Sequence, residues 1–173
     1  MPEYINPQEG IVKEGHFPNV SNALLETYRL ITIFLASKNF AALLTNYPGE
    51  GFDPFYKLQE VESNEITRLL LSLAITARVI DDREQRVFKL IKSNCGELQR
   101  DTSKTDFEPL DLREACNKII HAKKVRGDVD TVNGQTYLNP YIYLYGQHGK
   151  TKWKAKLDVV LFAKKYVTLV SNF

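Results

Sequence analysis

Cysteine is scarce: Cys95 and Cys116 are the two in 173 residues. With residues 1–10 lacking the basic and apolar regions of a secretion signal, this excludes a disulfide-stapled extracellular scaffold, and both thiols read as free packing residues of a cytoplasmic protein. No run of about eighteen uncharged apolar residues occurs, which excludes a membrane-spanning helix of the ordinary kind. Histidine is sparse as well. His16, His121 and His148 stand apart, leaving no three-ligand zinc pattern, so neither metal nor cofactor is expected. An excess of one charge is also missing: 23 Lys and Arg against 21 Asp and Glu leave a formal +2. That balance does not call for a polyanion partner, and any nucleic-acid argument must rest on local clustering. There is no Gly-rich phosphate loop, nucleophile elbow, internal repeat or low-complexity run. The acids Asp81, Asp82 and Glu84 point to different sides of a helix and read as a solvated face. Arg126-Gly127-Asp128 reads as coincidence.

What is present suits one domain, with 43% hydrophobic and 25% charged residues. Residues 1–20, broken by Pro2, Pro7, Gly10, Gly15 and Pro18, suggest an extended arm. Residues 21–124 read as a helical bundle. A first helix, capped by Asn19 or Ser21, runs to about Leu44 and is apolar on more than one side, which predicts a central position. The second starts near Pro54 or Glu65 and continues past Ile80 to Val87 and Ile91, after Asn46, Pro48, Gly49 and Gly51 break the first. Residues 93–110 are polar and aperiodic, the composition of a loop. From residue 125 the period changes to two, and Asn133-Gly134 is the favoured pair for a tight hairpin turn. Residues 125–158 are expected to form a three-stranded antiparallel meander, followed by a helix over 159–171 capped by Asp158. The class is α+β: about four or five helices with a small meander inserted before the last one.

The chain changes character at Asp111–Lys124. Leu112, Ala115, Cys116, Ile119 and Ile120 recur at helical spacing, with Asp111 as N-cap and Glu114 at the capping-box position. Arg113, Asn117 and His121 border that apolar stripe. An imidazole beside an amide can be oriented as a general base, and a guanidinium can hold a phosphate oxygen or a developing negative charge. The competing reading is structural: Arg113 pairs with carboxylates, Asn117 and His121 bond neighbouring segments, and the protein is a non-catalytic interaction module.

An Arg, a polar companion and a His on a late helix of a bundle resemble the signature of the HEPN superfamily, the higher eukaryotes and prokaryotes nucleotide-binding domain. The resemblance implies a metal-independent ribonuclease with Arg113, Asn117 and His121 as catalytic residues. It also implies RNA as partner and a homodimer that brings two such motifs together. Leu112–Ala122 followed by a Trp-containing strand looks similar, too, to bacterial proteins of unassigned function.

A second candidate site lies in the hairpin. Tyr141, Tyr143 and Tyr145 alternate with Ile142 and Leu144, and Lys150, Lys152, Lys154 and Lys156 alternate with Thr151, Trp153 and Ala155. A turn centred on His148-Gly149 places Tyr145 opposite Lys152 and Tyr143 opposite Lys154. The tyrosines and lysines then share one face, and Ile142, Leu144, Trp153 and Ala155 share the other. Rings between ammonium groups can stack bases and hold phosphates, so Lys124, Tyr143, Tyr145, Lys150, Lys152, Lys154 and Lys156 are the candidate nucleic-acid contacts. The plain alternative is a solvated face of Tyr-Lys pairs that discourages edge aggregation.

Overall fold

The computed structural model describes residues 19–44, 53–84, 88 and 94–171. The predicted arm, the break at 46–51 and the helical continuation through Val87 and Ile91 lie outside them. Helix α1 spans Val20–Leu43, α2 Phe55–Glu60 and α3 Glu62–Glu84. Strands β1 (Asn94–Gln99) and β2 (Glu108–Asp111) come next, followed by α4 (Leu112–Ile120). The chain continues through β3 (Lys124–Val132), β4 (Gln135–His148) and β5 (Thr151–Asp158) to α5 (Val159–Val170). No described helix is long and apolar enough to cross a membrane.

The α+β class stands, but the architecture does not follow the expected bundle with a three-stranded meander. The five strands form one antiparallel sheet in the order β2-β1-β5-β4-β3. The two additional strands come from residues 93–110, where a loop was expected. Their signal is poor for a physical reason. A register irregularity between Asn94 and Glu97 puts the buried residues of β1, Cys95 and Leu98, three positions apart instead of two, and β2 buries only Leu110.

The sheet is half of a two-layer domain. Ile142, Leu144, Trp153, Ala155, Leu157 and Leu98 point from one face into a core shared with α1, α3, α4 and α5. The first helix is not central: its buried side chains, from Ala23 through Leu30 and Phe34 to Ala41, make one stripe, whereas Tyr28 and Leu35 are 69% and 67% exposed. Its wide apolar content therefore reflects exposed apolar residues, not burial all round.

The local signals act where expected. Asn19 caps α1, Asp111 caps α4 and Asp158 caps α5, each accepting a backbone N–H three residues on, at 3.0, 2.8 and 2.9 Å. Asn133 and Gly134 take positive φ values of 52° and 78° in the β3–β4 turn, the conformation for which that pair is favoured. In the β4–β5 hairpin the turn residues are Gly149, at φ 57°, and Lys150, with His148 opposite Thr151. Tyr145 thus faces Lys154 and Tyr143 faces Lys156, two residues along β5 from the expected partners. A two-residue displacement leaves every side chain on its face, so the division into apolar and Tyr/Lys faces is as predicted.

Candidate nucleic-acid interface and adjoining cleft

The sheet face turned away from the core carries cations on both sides of the tyrosines. β3 supplies Lys124 opposite Tyr145 and Arg126 opposite Tyr143. From β5, Lys154 and Lys156 stand opposite the same two tyrosines. Two neighbouring rows result, Lys124–Tyr145–Lys154 and Arg126–Tyr143–Lys156, separated by about 7 Å along the strands. The rings are half-buried between the aliphatic stems, while Lys124 and Arg126 are exposed. The Lys154 ammonium lies 5.0 Å from the Tyr143 ring centre and 5.9 Å from that of Tyr145, and Lys156 is 4.5 Å from Tyr141. Glu97 on β1 opposes Lys156, and Asp128, Asp130 and Asp158 bound the basic area at its far end. Lys152 is exposed opposite Gln147, and Lys150 sits in the turn beyond the rows. Arg126 and Tyr141 join the predicted set. Arg126 is legible in the sequence, because it follows Lys124 by two and a strand places such residues on one face.

The helix face predicted as catalytic is divided. Asn117 and exposed His121 line a cleft of about 830 Å³ between α4 and the tip of the β4–β5 hairpin. Arg113 is not among the residues of that cleft. Its side chain is 57% exposed and its Nε lies 3.7 Å from Asp81. Asn117 is held from both sides, its Oδ1 accepting from Arg78 at 3.0 Å and its Nδ2 donating to Glu114 at 3.4 Å. These contacts belong to the structural reading of the face. His121 ends the helix as its C-cap, its backbone N–H bonded to the Asn117 carbonyl.

The cleft gathers residues that the sequence left scattered. Arg100, Lys118 and Lys123 bring positive charge, and His148 stands across from α4 with Gln147 and Thr151. Arg100 Nη1 and Lys118 Nζ each lie 3.2 Å from Glu114 Oε1, while Arg100 Nε also pairs with Glu108. Burial pushes the Glu114 carboxyl up, but bonds from Lys118 and Asn117 and the charge of Arg100 outweigh it and hold the group below the ordinary carboxylate value. Glu114 is therefore an ionised clip between two cations. Lys118 also lies 4.5 Å over the ring of Trp153, which forms a wall of the cleft. His148 gave no sign in the sequence because the α4 residues across the cleft from it are remote in the chain, and Arg100 lies in the segment that reads as a loop. No family model, curated protein or solved structure matches the chain.

Proposed function

We propose that the protein binds single-stranded RNA on the open face of its sheet. The observation that carries this reading is the pair of cation–tyrosine–cation rows, in which each ring capable of stacking on a base is flanked by two groups capable of holding phosphates. The Tyr143 and Tyr145 hydroxyls can serve as donor and acceptor for a ribose 2′-hydroxyl. The reading is one of binding, not cutting: Arg113 is paired with Asp81 away from the His121 cleft, so the catalytic set implied by the HEPN resemblance does not converge within one chain. An RNA ligand and two buried free thiols both suit the cytoplasm.

The test is anisotropy of a labelled single-stranded RNA titrated with protein across a range of salt. Affinity is expected to fall as salt rises, through counterion release. Replacing Lys154 and Lys156 together by Gln should weaken binding and reduce the logarithmic salt slope by about 1.4, which corresponds to two phosphate contacts on a single strand. Tyr143→Leu should cost about 1 to 3 kcal/mol of binding through lost stacking. Absence of binding at low salt, or a double variant with unchanged affinity and slope, overturns the reading and returns the face to a solvated surface.

A further inference from the structure

We infer that the cleft between α4 and the β4–β5 hairpin is a binding site for a phosphomonoester, distinct from the phosphodiester contacts proposed for the sheet face. Its lining carries three cations, Arg100, Lys118 and Lys123, against the Glu114 carboxylate, and with Glu108 paired to Arg100 from outside the lining the cleft keeps a net positive charge. A phosphomonoester brings about −1.5 to −2 charges and three strong acceptor oxygens, whereas a diester brings one charge. The several donors that converge on the cleft thus suit a terminal phosphate, which has more free acceptor oxygens than an internal one.

The donors remain available. Arg100 commits its Nε to Glu108 and its Nη1 to Glu114, out of five N–H groups. Of the three Lys118 ammonium protons, one is directed to Glu114. Lys123 is exposed, its position fixed by its backbone N–H, which donates to the Tyr145 carbonyl at 2.8 Å. His121 and His148 add imidazole N–H groups from the two walls. By holding Arg100 and Lys118 together, Glu114 lowers the ordering cost that an incoming phosphate would otherwise meet. A volume of about 830 Å³ accommodates a mononucleotide and lies within the usual range for small-molecule sites. The phosphate can belong to a free mononucleotide or to the end of a strand, because the cleft reaches Gln147, the cross-strand partner of Lys152 at the border of the sheet face.

Calorimetry with adenosine 5′-monophosphate and with adenosine tests the site. Trp153, the one tryptophan of the chain, reports entry through its emission because it lines the cleft. The monophosphate should bind and alter that emission, adenosine should do neither, and Lys123→Gln combined with His148→Gln should weaken binding by about tenfold or more with an unchanged unfolding midpoint. A 5′-phosphorylated pentanucleotide that binds about tenfold more tightly than its 5′-hydroxyl counterpart identifies a strand end as the source. Equal affinities, with the monophosphate still binding, identify the free nucleotide. If the monophosphate does not bind and the two pentanucleotides are indistinguishable, the inference fails, as it does if the Lys123/His148 variant binds normally. The sheet reading is judged separately: pentanucleotides that bind without phosphate preference leave it standing when the cleft fails. Monophosphate binding without any oligonucleotide binding leaves the cleft and removes the sheet.

Discussion

Trp153 joins the two halves of the molecule at the scale of a residue. Its ring is 4% exposed, one edge lies against Gly146 directly across the hairpin, and Lys118 covers its face. A Cβ built on Gly146 would overlap the indole, so the glycine is there for room. Trp153→Ala should therefore destabilise the fold by about 3 to 5 kcal/mol in urea denaturation, through loss of a large buried ring. Gly146→Ala should cost about 1 to 3 kcal/mol, because the ring must leave its packing position. An unchanged midpoint in either variant would mean that the indole is held elsewhere. Residue-scale reading of the sequence did best where a side chain acts on its own neighbourhood: the burial of Trp153 follows from simple alternation along β5. It did worst where a side chain acts across the chain, and nothing near Arg113 in sequence announces Asp81.

Among the elements, α4 is the best specified by its own residues. Leu112, Ala115, Cys116 and Ile119 are buried in the predicted stripe, and Asp111 makes the predicted cap. The other half of the capping box is diverted, because Glu114 turns to Arg100 and Lys118 instead of the start of its helix. Asp111→Ala should accordingly cost about 1 kcal/mol, the worth of one N-cap, with the loss seen as a lower thermal midpoint. A cost near zero would assign the helix start to tertiary packing alone. The strands show why legibility differs between elements. β4 and β5 alternate cleanly over several residues and declare both faces, whereas the irregular β1 and the four-residue β2 offer no period to detect. The hairpin register slipped by two positions in the reading because a two-residue turn can be centred on either side of Gly149, and hydrophobic alternation is blind to that choice.

For the molecule as a whole, burial sets the response to alkali. It pushes the Cys95 thiol from 9.0 up to about 12 and also raises the Cys116 thiol and the Tyr166 phenol. Above the unfolded-chain values the native state keeps protons that the unfolded state has released, so stability must fall as pH rises. Each group contributes a slope of about 1.4 kcal/mol per pH unit until its native value is reached. The contribution is fully present below about pH 9 and declines above it. Urea midpoints taken between about pH 8 and pH 11 should show the decline, and combining Cys95→Ala with Cys116→Ala should flatten it relative to the starting stability. A midpoint independent of pH over that span would contradict the burial of these groups.

The strand order also sets a sequence of events in time. β5, which is flanked by β1 and β4, comes after both in the chain, and the pairing of Glu97 with Lys156 spans about sixty residues. Until Thr151–Asp158 has left the ribosome, the sheet can exist only as two separate hairpins, β1–β2 and β3–β4, each with an apolar side and without the strand that joins them. The protein must therefore close late, around its penultimate element, and a chain ended after Gly149 should lack the cooperative unfolding transition of the full one. Such a chain exposes unpaired edges on both hairpins, which makes stalled synthesis the moment at which this sequence is most prone to aggregate.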